Sequence, residues 1–341
     1  MDFLQRLARF LDRPLFPWKK LIIGFSVGQY VFEALLGYRQ YKILQKTKPP
    51  KVLEHEVSQE VFDKSQAYGR AKAKFTGFNG LYGQLQNLAF YHFDVLPKLW
   101  SWTGDLLLRF APKGFTGEIS HSIVFILSFI LINQVLSLPS NIYNTFVLEE
   151  KFGFNKQTPK LFVVDMIKTN LLAFVLTPPI LSGFLAIIQK TGSQRTSFTS
   201  SLSCSVFVNN NSLYSDFGFT NQHPIIVGFL LFSDILGPLD NVIKLLMNIL
   251  SRKFEFEADG FCQRPRVQHR ASSLAMIKLQ IQNLSTMDAD WMFASYHFSH
   301  PILSERLKAL NWQPTEKVEV KGGDKEAAKE DVATATGRDE L

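Results

Sequence analysis

The sequence predicts an all-α fold: a polytopic helical bundle in a membrane, followed by a disordered charged C-terminal tail. Three observations predict it. Hydrophobic residues make up 46% of the 341 positions and charged residues only 20%, and the mean hydropathy is +0.02 even though a long polar tail is included. Two stretches, Ile119 to Leu148 and Thr169 to Gln189, hold no Asp, Glu, Lys or Arg; each is long enough to cross a hydrocarbon core, which takes roughly 20 apolar residues. Two further apolar segments, Leu21 to Tyr38 and Phe217 to Leu250, carry isolated charges, as expected of helices that turn one face to protein or water.

In chain order, the first sixteen residues contain Asp2, Arg6, Arg9, Asp12 and Arg13 and lack the apolar core of a cleavable signal peptide, so insertion is expected from internal segments. Leu21 to Tyr38 follows Trp18, Lys19 and Lys20, an interfacial aromatic and basic anchor, and its Glu33 must find a protein or water partner. Lys42 to Lys74 is polar with a helical pattern. Asn87 to Leu108, interrupted by His92, Asp94, Pro97, Lys98 and Asp105, fits a span and an interfacial helix equally. Pro178 and Pro179 predict a kink in the Thr169 to Gln189 span. Asp234, Asp240 and Lys244 place the Phe217 to Leu250 helix beside a cavity. From Thr315 onward too little apolar content remains to fold. The chain ends Arg338-Asp-Glu-Leu341, which matches a lumenal retrieval signal in form; such a signal acts only on a lumenal terminus, and chance is the larger reading.

Cys204 and Cys262 offer at most one disulfide and no metal-ligand spacing. The net charge of +7 is spread along the chain instead of forming a basic block with interleaved aromatics, which argues against nucleic acid and fits basic loops near anionic lipid. A lipid bilayer is the first partner expected.

Three stretches carry a family resemblance. Leu138 to Thr158 reads LPSNIYNTFVLEEKFGFNKQT and runs on to Asp165-Met-Ile-Lys168; Ser251 to Phe261 reads SRKFEFEADGF; Ser299 to Leu307 reads SHPILSERL. With Phe62-Asp-Lys-Ser-Gln-Ala-Tyr68, Lys72 and Lys74 upstream, they resemble the CAAX prenyl protease 1 family. These are multi-pass zinc metalloendopeptidases of the M48 type in the endoplasmic reticulum membrane or the inner nuclear membrane. The likeness covers roughly residues 15 to 312. It implies helices that enclose a water-filled chamber, a zinc cofactor, and prenylated CAAX proteins or peptides as substrates. It also divides the chain into N-terminal membrane helices (1–192), a C-terminal membrane helix with the remnant of a zinc peptidase domain (193–314) and the tail (315–341).

In that family a His-Glu-x-x-His helix supplies two zinc ligands one turn apart and a general base, and a later Glu completes the metal site. By resemblance the later ligand is Glu255. Asp259, four residues on, would orient a ligating histidine, and His300 and Arg306 would contact the substrate and steady its oxyanion. Read without the resemblance, Glu255 and Asp259 form a charge-alternating helix end beside Arg252 and Lys253, His297 and His300 form a packed or interfacial pair, and Arg306 pairs with Glu305 or lipid.

The sequence departs from the family at its centre. Its seven histidines are His55, His92, His121, His223, His269, His297 and His300, and none lies in a His-Glu-x-x-His. Where the family continues into another crossing, a soluble region and the histidine helix, Thr191-Gly192 runs straight into Ser193-Gln194. Arg195 to Asn211 is rich in Ser, Thr and Asn and would make a poor span. One carboxylate does not satisfy a zinc site that needs three protein ligands, so this chain is expected to retain neither zinc nor catalysis. The alternatives are a non-enzymatic isoform that binds prenylated tails or the full-length enzyme, and an unstable product of a mis-spliced transcript.

Overall fold

A computed structural model describes the backbone of residues 10, 12–14, 16–193, 210–220, 222–262 and 286–310. Among them there are helices and no strand. The long helices are α1 (Trp18–Ile43), α2 (Gln59–His92), α3 (Val95–Phe110), α4 (Glu118–Tyr143), α5 (Pro159–Ser193) and α7 (Ile225–Cys262); the short ones are α6 (Asn211–Asp216), α8 (Trp291–His297) and α9 (Leu303–Ala309). The charged tail and most of Arg195 to Asn211 lie outside the described residues.

Four helices are long and apolar enough to cross a membrane: α1, α4 with the turn that continues it, α5 and α7. Their outer faces carry side chains that a soluble protein would bury, among them Leu171 at 64%, Val175 at 61% and Ile180 at 67% exposure, and lipid is their natural cover. α5 continues through Pro178 and Pro179. The segment with two equal readings resolves into two helices: α2 stops at His92, Asp94 takes a left-handed conformation (φ 50°), and α3 starts at Val95. α3 buries Leu96, Leu99, Trp100, Thr103 and Leu107, one face at three- and four-residue spacing, and is not among the four spans.

Other boundaries also differ from expectation. The polar stretch from Lys42 to Lys74 is not one helix: α1 ends at Ile43 and α2 begins only at Gln59, because Pro49 and Pro50 cannot continue a helix. Ser58 caps α2 by accepting from the Val61 amide at 3.4 Å. The last span starts at Ile225, after Pro224, while Phe217 and Phe219 turn back into the core around Gly218 (φ 82°).

Polar contacts fix the order of the helices. Lys19 Nζ reaches Asp94 Oδ1 at 2.5 Å, and at the opposite ends of the same pair Arg70 Nη1 donates to Leu44 O at 2.8 Å, so α1 and α2 run antiparallel. Glu118 at the start of α4 accepts from Gln189 Nε2 near the end of α5 (3.1 Å) and from the Ile225 amide at the start of α7 (3.0 Å). That end holds the larger core, in which Trp18, Tyr91, Trp100, Phe125, Tyr214 and Leu231 meet. A smaller core of Leu53, Phe62, Met287, Leu303 and Leu307 lies toward the other end.

The resemblance-bearing stretch Leu138 to Thr158 has a structural use. α4 widens into a π-helix over Asn144–Glu149, which aims the Glu149 carboxylate at the Tyr68 hydroxyl (3.0 and 3.1 Å). The Tyr68 ring packs on Phe152 and Phe154 at 5.1 and 4.9 Å. Between those two rings Gly153 takes φ 78°, a conformation that suits glycine, and Phe154 N returns to Glu149 O at 2.9 Å.

Phe125 has no exposed surface and packs on Trp100 at 5.4 Å between ring centroids. Phe125→Ala is expected to lower unfolding free energy in mixed micelles by about 3–5 kcal/mol, measured by denaturant titration; a change under about 1 kcal/mol would show that lipid or detergent already fills that position.

Candidate functional site

The last turns of α7 place Asn248, Arg252, Glu255 and Asp259 on one helical face, at successive separations of four, three and four residues. α8 and α9 pack against that face. Asn248 Nδ2 donates to Tyr296 O at 2.7 Å, and Arg252 reaches His300 O at 3.4 Å and Glu305 Oε2 at 2.8 Å. Glu305 also accepts from the Ile302 amide at 3.1 Å, closing the first turn of α9.

At the tip Arg306 grips Asp259 with two bonds, Nε to Oδ2 at 2.7 Å and Nη2 to Oδ1 at 2.5 Å. Its Nη1 lies 3.6 Å from Glu255 Oε2, while Glu255 Oε1 meets His300 Nδ1. The fork-on-fork contact with Asp259 raises the Arg306 pKa above its ordinary value, against the opposing effect of burial and with help from both carboxylate charges. Asp259 and Arg252 are each 9% exposed, but the His300 imidazole is 71% exposed.

A second tether joins this region to α1. Arg39 makes a two-bond contact with Asp290 at 2.8 and 2.9 Å, Lys46 pairs with Asp288 at 2.7 Å, and Gln40 bridges Asp288 O and the Asp290 amide. Asp290 also caps α8 by accepting from Met292 N and Phe293 N. The Arg39 hydrogen bond, opposed by partial burial and aided by the capping amides and the Arg39 charge, holds its carboxyl below the usual carboxylate range.

The structure thus brings Glu255, Asp259, His300 and Arg306 together, although 41 residues of sequence separate Asp259 from His300. One expectation changes: Arg306 takes Asp259 and Glu255 as partners in place of Glu305, which belongs to Arg252. Both oxygens of Asp259 accept from Arg306. The half-buried His297 ring packs on Phe293 at 4.4 Å and Tyr296 at 4.9 Å, in keeping with the packed reading. Sequence reasoning passed over Asn248 as a contact and saw in Arg252 only a neighbouring charge. Their spacing back from Glu255 was the available signal, while the partners on α8 and α9 were not visible in it.

Three charged residues in or beside the spans also find protein partners. Glu33 accepts from Gln29 at 3.1 Å and Tyr296 at 3.3 Å, and Asp234 accepts from Tyr91 at 2.8 Å. Asp165, one turn into α5, accepts from Gln157 at 2.9 Å.

The cluster does not fit a zinc ion. Its donors are one carboxylate beside a guanidinium, one imidazole turned onto that carboxylate, and a second carboxylate committed to the same guanidinium. Among the described residues no group of three or more His, Cys, Asp or Glu is placed to hold a metal. What remains is a charge-compensated cradle with one open imidazole.

A family model described as CAAX prenyl protease N-terminal, five membrane helices, matches residues 40–218, and one described as peptidase family M48 matches residues 163–313. The chain is 31% identical to CAAX prenyl protease 1 of Saccharomyces cerevisiae over 91% of its own length and 99% of that protein's. It is 24% identical to the CAAX prenyl protease 1 homolog of Homo sapiens, covering 86% and 96%. The crystal structure of S. mikatae Ste24p superposes with a TM-score of 0.76 at 28% identity, covering 88% of this chain and 100% of that one. In the S. cerevisiae alignment, 91% of 341 residues is about 310, which leaves about 140 of the 450 aligned positions without a residue of this chain.

Arg306→Ala leaves two carboxylates facing each other, so it is expected to cost about 1–3 kcal/mol after allowance for partial exposure. Asp259→Asn should cost less, and the double variant should recover part of the loss in a double-mutant cycle; strict additivity would mean that the pair is not coupled. Acid should loosen α8. The depressed Asp290 carboxyl stabilises the fold above the ordinary carboxylate pKa, and that contribution is lost as pH falls through its lower folded value. Proteolysis of the 286–300 segment should therefore accelerate below about pH 4, and Asp290→Asn should flatten that acid dependence.

Proposed function

The chain belongs to the CAAX prenyl protease 1 family, and from that premise we propose that it engages prenylated CAAX C-termini within the membrane without hydrolysing them. The observation that carries the reading is the division of the site. The Glu255, Asp259, His300 and Arg306 cluster is assembled, while no His-Glu-x-x-His occurs in the 341 residues to supply two metal ligands and a base. Metal-activated water requires those nitrogens, and each lost element of such a site removes several kcal/mol of transition-state stabilisation. Engagement needs less: an apolar wall for the prenyl chain and polar groups for the peptide. α7 supplies the polar groups at Glu255, and exposed Leu246, Met247 and Leu250 lie within three turns before them on other faces of the same helix. The endoplasmic reticulum membrane, where the resemblance places the family, is the proposed location.

Purified chain in nanodiscs should crosslink to a photoreactive farnesylated CAAX peptide, leave that peptide uncut, and contain zinc well below one equivalent by elemental analysis. Chelator-sensitive trimming would overturn the catalytic half of the reading, and absence of labelling would overturn the binding half.

A further inference from the structure

The outer face of the α1 and α2 pair takes no part in the Glu255 cluster. On α1, Val27, Val31, Leu35, Tyr38 and Lys42 recur at intervals of three or four residues, and on α2 Lys74, Phe78, Leu81 and Leu85 do the same, so each set lines one side of its helix. Every one of these residues is exposed. The two lines belong to one surface. Ser26 bonds to Gln84 and Asn87 at 3.0 and 2.6 Å and Arg70 to Leu44 O at 2.8 Å, an antiparallel register that sets Lys74 level with Tyr41 and Gly77 level with Gly37. Lys42 Nζ stands 4.7 Å from the centroid of the Tyr38 ring and Lys74 Nζ 6.0 Å from that of Tyr41, so the two ammoniums straddle the seam where α1 ends. A Cβ added at Gly37 or Gly77 would meet no atom within 4 Å, which leaves the seam open on the bilayer side of the lysines.

Charge and exposure together say what covers this seam. Neither lysine enters an ion pair among the described residues. The acid of α1, Glu33, is bonded to Tyr296 on the side turned to α8, and α2 holds no Asp or Glu from Lys64 to His92. Two ammoniums without a carboxylate at the edge of hydrocarbon call for a mobile anion, since the tyrosine faces beneath them supply only part of the compensating charge. Deeper in the bilayer, exposed Val31, Leu35, Phe78 and Leu81 call for an apolar cover. A soluble anion meets the first demand alone and a neutral lipid the second alone; a phospholipid with a net negative headgroup meets both.

From this juxtaposition, and independently of any engagement of prenylated tails, we propose that the seam between α1 and α2 binds one anionic phospholipid, its headgroup phosphate bracketed by Lys42 and Lys74 and its acyl chains laid along Leu35 and Phe78. The full chain in mixed micelles is titrated with phosphatidylserine or with phosphatidylcholine of the same acyl chains, and bound lipid is counted by native mass spectrometry. Wild type should hold one phosphatidylserine roughly tenfold more tightly than phosphatidylcholine, and excess glycerophosphoserine should not displace it. Lys42→Gln combined with Lys74→Gln should lower phosphatidylserine to the affinity of phosphatidylcholine and leave the latter unchanged. Lys160→Gln combined with Lys168→Gln, which removes two exposed lysines of α5, should preserve the wild-type preference. Equal affinities in wild type, a preference that survives the change at Lys42 and Lys74, or one lost equally with Lys160 and Lys168 would overturn the assignment. So would loss of both lipids from the Lys42 and Lys74 variant, which would give those lysines a role in the fold alone, and displacement by glycerophosphoserine, which would make the seam a site for soluble anions.

Discussion

The guanidinium of Arg306 is the hub on which the organised end of this molecule depends. It faces two carboxylates from one helix, Asp259 at bonding distance and Glu255 at 3.6 Å, and without it those acids would repel each other in a partly buried place. Arg252 performs the reciprocal service for Glu305 one turn back. These contacts cross between α7 and α9, and the apolar cluster that holds Leu303 and Leu307 draws on Leu53, Val57, Phe62 and Met287, so charge pairing sets the register of α9 on α7. A geometry of this kind is directional: an Arg fork fixes both distance and plane, where a leucine contact fixes only proximity.

The rest of the chain divides its labour by depth. Outer faces of the spans are apolar and unpaired, as a bilayer allows, and polar side chains turn inward to bond to each other, as with Ser26, Gln84 and Asn87 between α1 and α2. Backbone polar groups in hydrocarbon must be satisfied locally, which explains why the described crossings are single long helices and why left-handed or π geometry appears at their ends. The Glu118 carboxylate gathers the ends of three helices at one level.

Much of the fold was legible because the thickness of the bilayer imposes a length and a charge limit that a sequence displays openly. Ile119 to Leu148 and Thr169 to Gln189 could scarcely be anything else. The site was legible in part: Glu255 and Asp259 advertise themselves by helical spacing, and His300 and Arg306 through a familiar string of neighbours. Their pairing was not legible, since the preference of Arg306 for Asp259 over its own neighbour Glu305 depends on how α9 lies across α7. The same limit hid Tyr68 and Glu149, 81 residues apart. Helix boundaries suffered where local punctuation was underweighted, as at Pro49 and Pro50.

The π-helix at Asn144–Glu149 has a genetic corollary. A π turn holds one residue more than an α turn, so the angular phase of the chain beyond it is encoded by a count and not by any side chain. Loss of one residue within that run would let the segment relax to an ordinary helix with the chain beyond it still in phase, whereas relaxation with the count unchanged would swing that chain by about 100° and carry Glu149 away from Tyr68. Point substitutions there cost single contacts; an inserted residue must be absorbed by further widening or it turns the downstream chain.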